Sequence, residues 1–388
     1  MGFCKKTQIS STNHASKSEN TGSCSNPDLD TIDPAYDFPN DYRMLRVIGS
    51  GSEGSVATYI NIPSNTIVAV KAIAKKGKIP REPNILKDLP HHESIIRMYG
   101  YHSGHSTSRF GAMILEYCPE GDLFDFNQKK FPETRSIFAE GFMWSILRQL
   151  ASATAFLHEG VGCKNSHQIK NWRPIVHRDI KLENILISDL GTKPDFSDIK
   201  IKLCDFGLSA FYNPEACTLP SLWGTCIYWP PEQTWEERLA TPAGDVWAIG
   251  CVIHEFAHNF LPVEDPVWYR ETMMQVLDVE GIERKLKGAA SLYWNANAPR
   301  HPLPINVEPQ HHAPDRRRLR PAPKYSDRLN KCMLMALEMD VKNRATAAAL
   351  LREVEENEAV FYDEEIERDW VIEMDWETET EDEEDEED

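Results

Sequence analysis

Two short polar motifs constrain this sequence more than any other feature. The first, HRDIKLEN, spans His177–Asn184, and the second, DFG at Asp205–Gly207, begins 21 residues after Asn184. Between them, the apolar runs Ile185–Ile187 and Ile201–Leu203 predict a pair of strands. The spacing indicates that the polar side chains of both motifs lie at the ends of one hairpin-like unit.

These motifs contain the residue types that phosphoryl transfer requires. Asn184 and Asp205 carry side-chain oxygens that can bind a metal ion. Asp179 is a candidate base, and Lys181 is a candidate cation. Transfer requires that the charge on the phosphates is neutralised and that the acceptor hydroxyl is aligned. The two motifs, in this order, therefore favour an enzyme that transfers phosphoryl groups.

A glycine-rich turn and a lysine precede these motifs. Residues Gly49–Val56 match G-x-G-x-x-G-x-V, and glycine lets backbone N–H groups approach phosphate oxygens. In dinucleotide-binding folds a helix follows such a turn, whereas here Val56–Ile60 predicts a strand. The next predicted strand, Thr66–Ala74, carries Lys71 at a distance from which its ammonium group can reach the phosphates. A dinucleotide enzyme is therefore disfavoured.

The predicted elements change from strands to helices along the chain. Residues 42–117 contain short β-rich runs, and helical periodicity begins at Phe138–His158. A small β-rich lobe followed by a large, mainly helical lobe over 122–355 is an α+β architecture. Residues 1–41, rich in Ser, Asn, Thr and Lys, are expected to form a disordered leader. The stretch 295–323, rich in Pro, His and Arg, is expected to be a loop insertion.

The net charge of −19 comes from the C-terminal tail. Residues 353–388 contain 21 Asp or Glu residues and one basic residue, Arg368, so they sum to −20 and leave residues 1–352 near +1. A body this close to neutral indicates no basic surface for nucleic acid. The acidic segment 356–388 repels itself and is expected to be disordered.

Cysteine usage and the first residues bear on location. The nine cysteines are odd in number and include no C-x-x-C pair, which fits reduced thiols in a cytoplasmic or nuclear protein. Gly2 and Cys4 suggest dual acylation, but the myristoylation pattern has Ser or Thr where Lys6 stands. A peripheral membrane location is expected only if Gly2 and Cys4 are acylated.

In combination, these motifs resemble those of the eukaryotic-type protein kinases, over residues 42–355. The lysine two places after Asp179 is the form found in the Ser/Thr class. Arg344 matches the arginine that pairs with Glu232 in that family, in a structural role. The resemblance implies a two-lobed kinase fold, ATP and Mg²⁺ as cofactors, and transfer of the γ-phosphoryl group to Ser or Thr hydroxyls of protein substrates.

The resemblance also implies a role for each matching residue. Asp179 would be the catalytic base, and Lys181 would steady the γ-phosphate. Lys71 would contact the α- and β-phosphates, and Asn184 and Asp205 would hold Mg²⁺. The nucleotide site would consist of Ile48, Gly49, Ser50, Gly51, Ser52, Glu53, Gly54, Ser55, Val56, Ala69, Lys71, Glu82, Glu116, Cys118, Asp122, Leu186 and Asp205.

The glutamate that should pair with Lys71 is the one departure from the kinase pattern. Glu82 fits best, yet only ten residues separate it from Lys71. A helix is predicted at about Pro83–Leu89, before a strand at Ile95–Tyr101. The residue before a proline avoids helical angles. We therefore expect a shortened helix with Glu82 at its start.

A pseudokinase scaffold, which binds nucleotide and partner proteins, is the alternative function. Pseudokinases commonly lack the lysine, the catalytic aspartate or the metal-binding aspartate. Lys71, Asp179 and Asp205 are all present, as is Asn184. The sequence therefore favours an active enzyme.

Further positions bear on regulation and substrate choice. In the kinase family, an arginine such as Arg178 usually meets a residue of the activation segment that an upstream kinase has phosphorylated. Ser221 lies at the matching distance, and Thr218 is the neighbouring candidate. The expected peptide groove is acidic, which predicts a preference for substrates with basic flanks. Its acidic residues are Glu120, Asp122 and Glu183.

Overall fold

The computed structural model describes residues 40–51, 54–74, 80–103, 109–134, 138–164, 169–213, 215, 224–237, 239–311 and 323–384, with the backbone alone at 50–51, 130–134, 309 and 367–384. An antiparallel sheet forms the N-terminal lobe, and helices dominate the C-terminal lobe. This arrangement confirms the α+β class and the two-lobed architecture.

The small lobe is built on a five-stranded antiparallel sheet in the order β1-β2-β3-β5-β4. Its strands are β1 (Tyr42–Gly51), β2 (Gly54–Asn61), β3 (Thr66–Ala74), β4 (Met98–His102) and β5 (Phe110–Glu116). β3 is buried on both faces, since Val68 and Val70 pack with Ile114 on one side, and Ala69 and Ile73 join the main core on the other. This double burial explains the continuous apolar run of β3.

A single short helix, α1 (Arg81–Leu86), packs beneath this sheet. Its six residues bury Ile85 and Leu86, and Glu82 lies in its first turn. Pro83 falls in the same turn, where a missing N–H costs no helical hydrogen bond. The expected shortening of the helix is confirmed, although α1 begins two residues before the predicted Pro83.

The strand predicted at Ile95–Tyr101 begins later than expected, at Met98. Ile96 donates its N–H to the carbonyl of Leu203 at 2.9 Å, and Ile95 forms an isolated bridge with the same residue. Both isoleucines are buried. The prediction was wrong at this end because the apolar residues here pair with a strand of the large lobe rather than within the sheet.

The large lobe contains the remaining helices: α2 (Leu123–Thr134), α3 (Glu140–Glu159), α4 (Pro242–His258), α5 (Pro266–Met273), α6 (Val279–Leu286), α7 (Ala290–Asn297), α8 (Asp327–Ala336) and α9 (Ala347–Glu384). Its centre is the packing of α3 on α4, where Trp144 and Trp247 are fully buried. None of the helices within the described ranges combines the length and the apolar character needed to cross a membrane.

Four short strands lie at the top of the large lobe, next to the cleft. β6 (Ile175–Val176) pairs with β9 (Ala210–Phe211), and β7 (Ile185–Asp189) pairs with β8 (Lys200–Leu203), all antiparallel. β7 and β8 confirm the two strands predicted between the polar motifs. The motif at His177–Asn184 therefore lies between β6 and β7.

The stretch 295–323, predicted to be a loop insertion, is packed where it is described. Its first residues complete α7, and Arg300 and Ile305 are buried. Ile305 donates its N–H to the side-chain oxygen of Asn330 in α8 at 2.9 Å. The three arginines at 316–318 lie outside the described residues. Residues 298–308 belong to no helix or strand apart from the isolated bridge between Arg300 and Val263. This part is therefore a loop, as predicted, although its buried residues pack it against the large lobe.

The tail predicted to be disordered from residue 356 instead continues α9 to Glu384. Glu358 forms an ion pair with Arg148 of α3 at 2.8 Å, and Phe361 packs near Trp144. Glutamate is also a good helix former. Contacts with α3 therefore anchor the first part of this helix beyond residue 355.

Candidate active site

Lys71 lies at the centre of an ionic network between the lobes. Its Nζ donates to Glu82 Oε2 at 2.8 Å and to Asp205 Oδ1 at 2.8 Å. Burial lowers the pKa of Lys71, but the charges of the two carboxylates outweigh burial and raise this pKa above its ordinary value. The charged lysine therefore ties α1 in the small lobe to Asp205 in the large lobe.

Asp205 is held by a constrained backbone. Its φ angle is +63°, and the next residue, Phe206, is buried with its ring 4.9 Å from that of His177. Burial raises the pKa of Asp205. The charge and the hydrogen bond of Lys71 together outweigh burial, so the pKa lies below its ordinary value. The carboxylate is therefore ionised, and its side chain is 36% exposed.

Asp245, in the first turn of α4, fixes the backbone of the HRDIKLEN motif. Its carboxylate accepts the N–H groups of His177 at 2.7 Å and Arg178 at 2.8 Å, and it lies 2.9 Å from His158 Nε2. Burial raises the pKa of Asp245, but the hydrogen bond and charge of His158 keep this pKa below its ordinary value. A buried, ionised carboxylate therefore positions the two residues that precede Asp179.

Asp179 is surrounded by the polar groups that its motif predicts, and by one more. Its Oδ2 accepts a hydrogen bond from Asn184 Nδ2 at 2.9 Å and lies 3.0 Å from Lys181 Nζ. Its Oδ1 accepts both the N–H and the hydroxyl of Thr225 at 3.0 Å. Lys181 Nζ also donates to the Thr225 hydroxyl at 2.9 Å. Thr225 was not among the predicted site residues.

A glycine is required at position 224, next to the contact between Thr225 and Asp179. Its φ angle is +107°, and a Cβ atom there would lie 2.4 Å from the carbonyl oxygen of Arg178. Only glycine allows so close an approach between the two segments. The sequence signal that points to Thr225 is therefore the Gly-Thr pair, which lies 46 positions after Asp179.

The residues predicted to hold Mg²⁺ fit that ion. Asn184 uses its Nδ2 in bonds to Asp179, which leaves its amide oxygen for another ligand. Within the described ranges, no group of three or more His, Cys, Asp or Glu side chains is arranged to hold a metal. Mg²⁺ typically takes only one or two protein oxygens and completes its shell with phosphates and water. Asn184 and Asp205 supply that number of hard oxygen ligands.

The predicted nucleotide-binding residues of the sheet lie close to Lys71. Val56 of β2 stands opposite Lys71 in the register, and Ala69 precedes Lys71 on β3 by two positions, on the same side of the sheet. Leu186 of β7 forms a bridge with Asp122. Cys118 is buried after β5, and burial raises its pKa to about 12.

Two of the predicted residues already use side-chain oxygens in contacts with other protein groups. Glu116 Oε1 pairs with Lys202 at 3.0 Å, and its Oε2 accepts the N–H of Arg97 at 3.3 Å. Asp122 Oδ1 accepts the N–H of Asp125 at 2.7 Å at the start of α2. Glu116 is thus left with backbone groups for a ligand, and Asp122 serves as a helix cap.

The glycine-rich turn is described in part. Ile48 is exposed on β1, and Gly49, Ser50 and Gly51 continue this strand. Gly54 has a φ angle of +145°, and a Cβ atom there would lie 1.9 Å from the carbonyl oxygen of Ala72, so glycine is obligatory. Ser55 follows in β2. The predicted residues that lie outside the described ranges are Ser52, Glu53, Thr218, Ser221, Gly2 and Cys4.

Comparison with known proteins assigns the family. The family model described as the protein kinase domain matches residues 42–354. The chain belongs to the protein kinase family. This confirms the resemblance inferred from the sequence motifs, and the matched range covers both lobes of the kinase fold.

Curated relatives of this chain include proteins named as serine/threonine-protein kinases. It is 31% identical to mouse serine/threonine-protein kinase 36 over 61% of the chain and 16% of that protein. It is 29% identical to Aurora kinase A-A of Xenopus laevis over 70% of the chain and 61% of that protein. It is 28% identical to the probable serine/threonine-protein kinase MARK-B of Dictyostelium discoideum over 64% of the chain and 30% of that protein. The match thus spans less than two thirds of each relative.

Proposed function

We propose that this kinase transfers the γ-phosphoryl group of ATP to Ser or Thr hydroxyls of protein substrates, with Mg²⁺ as cofactor. The observation that carries the proposal is the position of Lys71, whose Nζ lies 2.8 Å from both Glu82 and Asp205. In the kinase family the ion pair between this lysine and this glutamate must be in place for phosphoryl transfer, together with Mg²⁺ at the aspartate. The names of two of the relatives, both serine/threonine-protein kinases, support the Ser/Thr class.

Each residue of the site has a defined task in this reaction. Asp179 accepts the proton of the acceptor hydroxyl, and Lys181 stabilises charge beside it. Lys71 orients the α- and β-phosphates of ATP. Mg²⁺, when bound at Asn184 and Asp205, would neutralise charge on the phosphates. The ionised state of Asp205 supports this assignment.

The pseudokinase alternative is less well supported. A scaffold has no need of an ionised Asp205 that contacts a charged Lys71, nor of an Asp179 aligned by three neighbours. The short α1 still brings Glu82 to Lys71, as an active kinase requires.

The proposed function is tested with radiolabelled ATP, Mg²⁺ and a library of Ser, Thr and Tyr peptides. Label is expected on Ser and Thr peptides, and the Asp205→Ala variant is expected to be inactive although folded. Nucleotide binding without transfer, for both proteins and at every peptide, would favour the scaffold. Label on Tyr peptides alone would contradict the Ser/Thr class.

The proposed preference for basic substrates gains support from an acid that the sequence analysis did not single out. Glu255 of α4 accepts a hydrogen bond from the hydroxyl of Tyr228 at 2.5 Å. Burial, and then the nearby charge of Glu183, raise the pKa of Glu255 to about 7, while the Tyr228 bond opposes them. Two carboxylates thus lie beside the turn that follows Thr225, where a basic side chain of a substrate would neutralise them.

This pKa leads to a pH-dependent prediction. Below pH 7 Glu255 is neutral, and above it the residue is ionised and attracts a cation. For a peptide with an arginine before its acceptor, KM is expected to fall about fivefold between one unit below and one unit above that pKa, which corresponds to about 1 kcal/mol from one ion pair. A peptide with alanine there is expected to show no such fall, and Glu255→Gln should abolish it. Equal pH profiles for both peptides would contradict the assignment.

The proposed regulation by phosphorylation involves two arginines. Burial, and then the positive charge of Arg81, lower the pKa of Arg178 to about 10. Two neighbouring cations are stabilised by an anion such as a phosphorylated side chain. We expect the protein from its native cell to carry phosphate on Ser221 or Thr218, and a phosphatase to lower its activity. Full activity with neither site phosphorylated in mass spectra would contradict this.

We also propose a cytoplasmic or nuclear location, which rests on the cysteine usage. Acylation at Gly2 and Cys4 would change it. Cell fractionation that places the wild-type chain, but not Gly2→Ala, on membranes would overturn the proposal.

A further inference from the structure

Arg300, a buried residue outside the catalytic motifs, forms hydrogen bonds with a turn near the active site. It follows α7 and is 5% exposed. Its Nη2 donates to the carbonyl of Cys226 at 2.8 Å, and its Nε donates to the carbonyl of Trp229 at 2.9 Å. These carbonyls belong to the first residue of the one-turn 3-10 helix Cys226–Tyr228 and to the residue after it. One guanidinium therefore spans both ends of this turn.

The base of this side chain is itself fixed. Arg300 Nη1 donates to the carbonyls of Asn295, at 3.3 Å, and Ala298. Its two backbone neighbours pair with the segment after α4, through Glu264 N–H to Pro299 O and His301 N–H to Pro262 O, both at 2.8 Å. The guanidinium is therefore a rigid connection between the turn and the body of the large lobe.

The partners of Arg300 are backbone carbonyls rather than a carboxylate. Within the described part of the chain, no acidic side chain pairs with it. A buried guanidinium is tolerated only where its N–H groups are hydrogen-bonded. If the side chain is removed, the carbonyl of Trp229 loses the donor Nε, and the carbonyl of Cys226 keeps only the N–H of Trp229. The bonds thus constrain the backbone of the turn directly.

The turn is one residue away from the catalytic aspartate. Thr225 immediately precedes Cys226, and its N–H and hydroxyl both donate to Asp179 Oδ1 at 3.0 Å. Lys181 is held by the same hydroxyl. A displacement of the turn would therefore move the shared hydrogen-bond partner of Asp179 and Lys181.

We propose that Arg300 is a positioning residue for peptide phosphorylation: it holds the turn at Cys226–Trp229 so that Thr225 keeps Asp179 aligned with the acceptor hydroxyl. This inference rests on the proposed kinase function and extends it to a residue outside the catalytic motifs. The proposed nucleotide contacts depend on Lys71 and Asp205, which bond to each other and to Glu82, so we expect nucleotide binding to be independent of Arg300.

The test compares Arg300→Gln, Arg300→Lys and the control Arg328→Gln with the wild type. Arg328 forms an exposed ion pair with Glu364 in the same lobe. For Arg300→Gln, kcat/KM for peptide is expected to fall about 10- to 100-fold, the range for a slight misplacement of catalytic groups. The affinity for ATP should not change, Arg300→Lys should recover part of the loss, and the control should match the wild type.

Hydrogen exchange provides a readout independent of activity. The N–H of Tyr228 is bonded to Thr225 O at 2.9 Å, and that of Trp229 to Cys226 O at 3.1 Å. Both amides are expected to be protected in the wild type and to exchange faster in Arg300→Gln, while α3 is unchanged. The inference would be overturned if Arg300→Gln showed the exchange rates and the kinetics of the wild type. It would also be overturned if the affinity of this variant for ATP fell as much as its kcat/KM for peptide.

The outcomes separate this inference from the proposed function. If the wild type transfers no phosphoryl group, the kinase proposal fails, and the exchange experiment still shows whether Arg300 holds the turn. If Arg300→Gln does not fold, Arg300→Lys carries the test. In that case two results together would overturn the inference. The Arg300→Lys variant would match the wild type in activity and in hydrogen exchange, and the amides of residues 228 and 229 would be unprotected in the wild type.

Discussion

Replacing Asp179 with asparagine is expected to lower kcat for peptide phosphorylation about 10³-fold, a typical effect of losing a general base. The amide has nearly the shape of the carboxylate, but it cannot take a proton from the acceptor hydroxyl. It also presents N–H groups where Lys181 and Asn184 now face an oxygen. The affinity for ATP should not change, because Asp179 contacts neither Lys71 nor Asp205 in the ionic network.

The control for this variant is Asp125→Asn. Asp125 is an exposed aspartate of α2 that lies 3.8 Å from Lys129, so the same chemical change is made away from the site. Steady-state kinetics with labelled ATP and a Ser peptide measure kcat, and calorimetry measures the binding of ATP. Activity close to that of the wild type would exclude Asp179 as the base. Loss of ATP binding would instead assign it a structural role.

The catalytic motifs were predictable because they depend on short segments of chain. Asp179, Lys181 and Asn184 lie within six consecutive positions, and the turn at 182–184 brings Asn184 back to Asp179. The spacing of the motif therefore determines its geometry. Glu82 was predictable for a similar reason, since Pro83 restricts the residue before it to the first turn of its helix.

Two contacts between distant segments, outside those that the kinase resemblance implied, were not predictable from the sequence. Thr225 bonds to Asp179 across 46 positions, and Arg300 bonds to Cys226 across 74. Such contacts depend on how the turns and helices of the large lobe pack, and the side chains that make them follow no periodic pattern. Arg300 therefore looked like part of a loop insertion, although it is buried.

The structure of the acidic tail was also not predictable from the sequence. Its charge density indicated disorder, yet α9 begins within the core and continues along α3. The pairing of Glu358 with Arg148 and the packing of Phe361 near Trp144 extend the helix beyond the predicted end. Composition describes the average behaviour of such a segment, whereas two or three specific contacts determine where it becomes ordered.

The ion pair of Glu232 and Arg344 was identified by resemblance, and its surroundings determine its energy. Arg344 is fully buried, with Nη1 at 2.6 Å from Glu232 Oε1 and Nη2 at 2.9 Å from Oε2. It also donates to the carbonyls of Glu338 at 2.8 Å and Ala243 at 3.1 Å, and it lies 5.1 Å above the ring of Trp247. The pair thus joins the segment after the catalytic turn to α4 and to the chain before α9.

Replacing Glu232 with alanine is expected to lower the free energy of unfolding by about 3–5 kcal/mol, because the guanidinium then stays buried with its charge uncompensated. The two carbonyls and the ring of Trp247 remain, but none of them carries a net charge. Urea unfolding followed by tryptophan fluorescence measures the loss. The matched double variant Glu232→Met with Arg344→Met removes both charges and is expected to cost less than Glu232→Ala alone. A single variant within about 1 kcal/mol of the wild type, the scale of an ordinary substitution, would show that water or another group neutralises Arg344 and that the pair is not what holds the segment in place.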